Sequence, residues 1–278
     1  MTPGHESLAP EAADGHRWQL YACSPAKPVA TVLWLPALGV GARHYLPFAQ
    51  ALAKRGMATF LHEWRGAGSS SLRAGRDCNW GYRELLELDI AASADAVQRI
   101  HPTLPSIVGG HSLGGQLAAC RLALAPDTAQ QLWLVGSGAP YWRAFPRPYR
   151  AWLPLAYRFL PWLSDRNGAL PGRRLGFGGR ESRGVMRDWS RTALTGTYAA
   201  DALDADLEAG MASVKAQVRA VVFERDWFAP PSSLQHLLSK LPRTDTQIMS
   251  FDDASLGVGA DHFQWMRHPD PVAGWLSR

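Results

Sequence analysis

Cysteine is scarce in this sequence: Cys23, Cys78 and Cys120 are the only three in 278 residues, odd in number, far apart and without a C-x-x-C pair. That pattern excludes a disulfide scaffold and offers no zinc site or redox dithiol. A reducing, cytoplasmic compartment and the absence of any metal or other cofactor are therefore expected. Long apolar runs are lacking too. The nearest, Leu153 to Leu163, is interrupted by Arg158 and Pro161 and falls short of the roughly 18 uninterrupted apolar residues of a spanning helix, so no transmembrane segment is expected. Residues 1–10 carry acidic and polar residues where an export signal needs a basic start and an apolar core, and export is not expected. Charge is sparse: 19% of residues are charged against 46% hydrophobic, which supplies a packed core and carries no mark of disorder. There is no internal repeat or low-complexity tract. The length suits one domain of the larger α/β kind, or a core with an insertion.

The charge that is present is unevenly placed. Between residues 139 and 200 there are eleven arginines against Asp165, Glu181 and Asp188, a net +8 in a chain of net +5, so the remainder carries −3. No nucleic-acid-binding motif accompanies these arginines, and nucleic acid is not expected as a partner.

Short apolar runs alternate with stretches of helical period, the pattern of a mostly parallel central sheet flanked by helices. Arg17 to Ala22, Val29 to Leu35, Met57 to Glu63, Ser106 to Gly109, Gln131 to Val135, Arg219 to Glu224 and Gln247 to Phe251 read as strands. Tyr45 to Lys54, Glu84 to Ile100, Leu113 to Leu124 and Phe263 to Leu276 read as helices, the second with Leu85, Leu88, Ala92, Ala96 and Ile100 on one face and the last bent at Pro269 and Pro271. From Gly136 to about Ala200 the alternation fails, and four tryptophans, many prolines and the arginines take over. A structureless loop of that length is uncommon in a compact domain. The expected organisation is therefore a core of residues 1–138 and 201–278 with an inserted lid, 139–200, over the sheet's C-terminal edge.

Strand, tight turn and helix meet at Gly110-His111-Ser112-Leu113-Gly114. In a G-x-S-x-G run the small residues two before and two after the serine let backbone and helix approach closely enough to expose its hydroxyl on a strained turn. A serine hydroxyl is a weak nucleophile at neutral pH and needs a base, itself oriented by an acid. Folds that use this elbow deliver the partners in the order Ser, then Asp or Glu, then His. Asp226 follows an apolar run and opens a loop at a strand's C-terminal end. Glu224, Asp252 and Asp253 are its rivals. Beyond it lie His236, in a helical stretch, His268, before Pro269, and His262, on the loop between the last strand and last helix, which is the expected base. The oxyanion of a tetrahedral intermediate needs two backbone N–H donors. Leu113 supplies one by position and Leu38, in Pro36-Ala37-Leu38-Gly39 after a strand, is the expected second.

These runs, with Trp64-Arg65-Gly66-Ala67-Gly68-Ser69, Asp226-Trp227 and Asp261-His262-Phe263, resemble the α/β-hydrolase superfamily, more narrowly the hydrolases related to serine aminopeptidases and monoglyceride lipases. The resemblance spans residues 31 to 265. It implies an α/β-hydrolase fold and hydrolysis of an ester, thioester or amide without a cofactor. Two positions depart from the family pattern: Pro36-Ala37 stands where His-Gly is usual, and Glu63 where aspartate is usual. The first bears on the second oxyanion donor, the second on a structural contact.

An aromatic lid over a catalytic serine makes a water-poor tunnel suited to an acyl chain, with Trp142, Trp152 and Trp162 as substrate-contacting residues. Its arginines favour an anionic partner, acyl-CoA or acyl-carrier protein, over a neutral ester. An anionic membrane surface and a merely solvated basic face are the competing readings. The expected function is hydrolysis of an ester or thioester of an apolar acyl group through an acyl-enzyme. The alternatives are an acyltransferase using the same triad and a non-catalytic binding protein on the same fold.

Overall fold

The computed structural model describes residues 5–278. Its sheet has eight strands in the order β1-β2-β4-β3-β5-β6-β9-β10. The strands are β1 (His5–Leu8), β2 (Leu20–Cys23), β3 (Ala30–Leu35), β4 (Met57–Leu61), β5 (Ser106–His111), β6 (Gln131–Val135), β9 (Gln217–Phe223) and β10 (Thr246–Phe251). The pairs β1/β2 and β2/β4 are antiparallel and the other five are parallel. A short separate pair, β7 (Leu170–Pro171) and β8 (Arg180–Glu181), is antiparallel.

Alternation along each strand divides the core between two faces. Leu33 and Leu35 of β3 and Leu132 and Leu134 of β6 lie in one apolar cluster, with α2 (Ile90–Ile100) and α3 (Leu113–Leu124). Val32, Trp34, Trp133 and Val135 lie in the other, with α1 (Leu46–Ala53) and α11 (Asp270–Leu276). Both faces are covered along the central strands, which is why β3, β4 and β6 are buried and mostly apolar, while the edge strand β10 is largely exposed.

The reading of Glu84 to Ile100 as one regular helix is corrected. Glu84–Asp89 forms a π-helical turn before α2. Widening the first turn rotates everything after it relative to a 3.6-residue period, so Ile90, Ser93 and Val97 face inward while Ile100 is exposed. Phe263 to Leu276 is also two pieces, a 3-10 turn, Gln264–Arg267, and α11. Pro269, which has no N–H to donate, stands at the break.

The connection from β6 to β9 holds α4 (Arg147–Arg150), α5 (Leu153–Asn167), β7, α6 (Gly172–Leu175), β8, α7 (Arg183–Thr195) and α8 (Leu207–Ser213). Trp189 of α7 is buried between Tyr157 of α5 (5.0 Å, edge-on) and Phe177 (5.3 Å). Two further helices, α9 (Pro231–Leu238) and α10 (Asp253–Leu256), flank β10 in sequence. No helix among the described residues is long and apolar enough to cross a membrane.

A buried charge network ties the first loop to α2. Asp89 is fully buried and takes Arg65 through both carboxylate oxygens (2.9 and 2.6 Å) and His16 Nδ1 (3.0 Å), while Arg65 also holds Asp14 (2.6 Å). Burial raises the Asp89 pKa, but the Arg65 and His16 hydrogen bonds outweigh it and the net direction is down. Beside it, burial holds His62 neutral, its pKa pushed down to about 4 against a weaker pull from Asp89. A histidine depressed in the fold is protonated first in the unfolded chain. Its contribution is whole above the unfolded value near 6.5 and is lost as pH falls from there toward 4, by up to about 3 kcal/mol. Asp89 adds to the loss only below its ordinary carboxylate range. Melting temperature is expected to drop steeply from pH 6.5 to 4.5, and His62→Gln, which takes up no proton, should flatten that slope. Equal slopes would refute it.

Candidate active site

The turn from β5 into α3 puts Ser112 at φ 55°, ψ −121°, one of two non-glycine residues with positive φ among those described. This is a conformation L-residues adopt only where the surroundings enforce it. Here the enforcement is packing. A Cβ on Gly110 would collide with the backbone of Gly114, and one on Gly114 with the Leu35 carbonyl, so the helix can sit this close to β3 only with glycine at both positions. The Ser112 N–H donates to the Val135 carbonyl (3.0 Å). Its side chain is partly exposed and makes no hydrogen bond among the described residues.

Asp226 lies beyond the end of β9 and is 5% exposed. Oδ1 accepts the N–H groups of Phe228 (2.9 Å) and Ala229 (3.0 Å), and Oδ2 meets Nδ1 of His262 at 2.7 Å. His262, 4% exposed on the loop after α10, is ringed by His111, Phe228 and Phe263 at centroid distances of 4.6, 5.0 and 4.7 Å. The structure thus brings Asp226 and His262 into direct contact and sets His262 against the residue preceding Ser112. The rivals are engaged elsewhere. Asp252 caps α10, Asp253 pairs with Arg225, Glu224 is exposed, and His236 Nε2 faces the Gly196 carbonyl at 3.3 Å.

The Pro36-Ala37 departure has a structural reading. Pro36 has no N–H, and its carbonyl accepts Trp64 Nε1 (2.9 Å). The Ala37 N–H donates to Tyr45 Oη (3.0 Å) and the Val40 N–H closes back on the Ala37 carbonyl. Leu38 N–H is left without a partner among the described residues, as is Leu113 N–H at the start of α3. Glu63, the other departure, is buried. Its Oε1 accepts the Ala42 N–H (3.0 Å), so it holds the segment after the Pro36-Ala37-Leu38-Gly39 turn.

Tyr45 Oη also lies 2.8 Å from His111 Nδ1, joining the Pro36-Ala37-Leu38-Gly39 turn to the turn at Ser112. Tyr45 was not singled out in the sequence and carries no local signal there. Trp227 and Phe228, which follow Asp226 directly, are not among the residues expected to meet substrate. Trp227 rests on Phe228 (3.9 Å), and Tyr149 stacks on Trp227 (5.7 Å, 17°). Trp152, 44% exposed, lies 6.4 Å from Tyr149 at the outer end of this aromatic series. Trp142, against Tyr141 and Arg143, and Trp162, 55% exposed beside Phe159, stand outside it.

A second Ser-His-Asp arrangement exists. His16 bridges Asp89 (3.0 Å) and Ser70 Oγ (2.9 Å). Ser70 Oγ, however, already accepts the N–H groups of Gly66 (2.9 Å) and Leu72 (3.2 Å), and all three residues are buried. With its lone pairs committed and no access for a substrate, this trio is a structural joint. Among the described residues no cluster of three or more His, Cys, Asp or Glu could hold a metal.

A mostly parallel sheet covered on both faces, with a strained serine between strand and helix, defines an α/β hydrolase, and the chain is a serine hydrolase of that class. The model of the serine aminopeptidase S33 family matches residues 26–255, and the chain belongs to that family. A search of curated proteins finds no match. Among solved structures, the chain is similar to an esterase from Exiguobacterium antarcticum (14% identity, 98% of each chain covered, TM-score 0.67). It is also similar to the esterase domain of a Rhodothermus marinus protein (16%, 99% of this chain and 98% of that one, 0.64). A third is the thioesterase domain of the curacin biosynthetic pathway (16%, 98% and 99%, 0.61). At these identities the likeness shows the fold alone.

Proposed function

We propose that Ser112, Asp226 and His262 form the catalytic triad of a hydrolase acting on an ester or thioester of an apolar acyl group. The observation that carries this reading is the 2.7 Å contact of Asp226 Oδ2 with His262 Nδ1, beside a serine held in a strained conformation. A carboxylate at Nδ1 keeps the proton there and leaves Nε2 as the base. Ser112 Oγ attacks the acyl carbon as Nε2 takes its proton, and the oxyanion is met by the N–H groups of Leu38 and Leu113. His262 then protonates the leaving oxygen or sulfur, leaving an acyl-enzyme. Water, deprotonated by the same nitrogen, releases the acid.

Tyr149, Trp227, Phe228 and Phe263 give the acyl group an apolar approach to His262. Residues 139–200 act as the lid, with Trp152 at the outer end of that approach. Nine of the eleven arginines in this segment are exposed, which supports an anionic acyl carrier, acyl-CoA or acyl-carrier protein, drawn by long-range attraction. The three free cysteines support a reducing, cytoplasmic setting. Treatment with a sulfonyl fluoride, followed by peptide mass spectrometry, should place one adduct on Ser112 together with loss of nitrophenyl-ester hydrolysis. An adduct on Ser70 or elsewhere with Ser112 unmodified would overturn the assignment.

A further inference from the structure

A cavity of about 520 Å³ opens beside the oxyanion turn, between the Trp64–Gly68 turn and the segment from Pro171 to Glu181. Gly39, next to Leu38, is on its wall, and the backbone of Gly178 and Gly179 lies so close that a Cβ on Gly39 would collide with it. The cavity is therefore built into the same turn as the expected oxyanion donor.

Its walls are strongly basic. Arg73, Arg173, Arg174 and Arg180 all line it. Arg73 donates to the carbonyls of Ser70, Leu72 and Gly68, and Arg180 gives Nε to the Ala74 carbonyl (2.7 Å). These fix the side chains without cancelling their charge. Arg173 and Arg174 have no hydrogen-bond or ion-pair partner among the described residues. Arg65 also reaches the wall, but Asp14 and Asp89 neutralise it. The one acidic side chain on the wall is Glu181, which accepts the Gly179 N–H (2.7 Å) and which burial pushes toward its neutral form. Four guanidinium groups thus face at most one carboxylate. That excess repels itself unless an anion joins it, and one carboxylate ligand would not balance it. Phosphate, with up to two charges and three acceptor oxygens, matches several guanidinium forks at once.

We propose that this cavity is a phosphate subsite for a phosphorylated small molecule. On the hydrolase reading above, on which this part rests, that molecule is the leaving group of the acyl substrate. The phosphate sits among the arginines and the scissile carbonyl lies at Leu38 and Leu113. Two sources share this chemistry, a phosphopantetheine-type thiol and a phosphorylated alcohol.

The test is calorimetric titration of Ser112→Ala protein, which removes turnover from the measurement, with coenzyme A, glycerol 3-phosphate, inorganic phosphate and succinate. One of the two organophosphates should bind at least about tenfold more tightly than inorganic phosphate or succinate, and which one names the source. Arg173→Glu with Arg174→Glu should weaken that binding at least about tenfold. Arg99→Glu with Arg243→Glu, the same change in net charge outside both the cavity and residues 139–200, should leave it within about twofold. All these side chains are exposed, so unchanged melting curves check that the variants fold. Organophosphates no tighter than phosphate or succinate, or equal losses from both pairs of changes, would overturn the subsite. Retained organophosphate binding in a wild-type protein that cleaves no ester would support the subsite and overturn the hydrolase reading alone.

Discussion

Ser112→Ala is expected to lower kcat for a nitrophenyl ester by about 10⁵ to 10⁶-fold while leaving the melting temperature nearly unchanged. The change removes one oxygen and keeps the Cβ, so the collision-limited packing of Gly110 and Gly114 against the elbow is untouched. Alanine meets much the same penalty at φ 55° as serine does. The Oγ makes no hydrogen bond among the described residues that the fold would miss. Activity and stability therefore separate at this position, and initial rates measured beside a melting curve read both. Residual activity above a few per cent of wild type would sink Ser112 as nucleophile.

Asp226→Asn should cost about 10⁴-fold in kcat, for a reason that hydrogen-bond polarity supplies. The Phe228 and Ala229 N–H groups both donate to Oδ1, so an asparagine must place its oxygen there. Its NH₂ then faces His262 Nδ1 and forces that nitrogen to accept. The proton moves to Nε2, where a base is needed, and the imidazole is turned into the wrong tautomer. The change is nearly isosteric, so substrate binding should survive and KM should move far less than kcat. A KM effect as large as the kcat effect would place Asp226 in binding rather than in orienting the base.

Much of the candidate site is legible because its signals are local. The apolar runs of β3, β5 and β6, the glycines around Ser112 and the order of Ser112, Asp226 and His262 all lie within short stretches of chain. What was not legible depends on distant pairing. Strand β1 and its register with β2, His5 opposite Cys23, show no periodic pattern. The buried face of α2 was misplaced because the wide turn before it leaves no mark in the hydrophobic spacing. Tyr45 contributes its hydroxyl across 66 residues to His111, and no motif joins the two. Aromatic content alone gave no direction either, so Trp162, expected to meet substrate, lies apart from the series of rings that reaches His262.

The Tyr45 hydroxyl, which has one proton to give, also sets the tautomer of the ring beside His262. Its oxygen already accepts the Ala37 N–H, and Tyr45 is fully buried, so that proton has His111 Nδ1 as its acceptor. His111 is thereby fixed with its hydrogen on Nε2. Burial first, and the neighbouring His262 second, push its pKa well below the usual histidine range. On the proposed mechanism His262 becomes cationic when it takes the serine proton, and the imidazole 4.6 Å away stays neutral. A second positive ring at that distance would oppose each proton transfer. On the proposed mechanism, burial thus removes an electrostatic obstacle at the step where charge appears, while the tyrosine ties that ring to the Pro36-Ala37-Leu38-Gly39 turn.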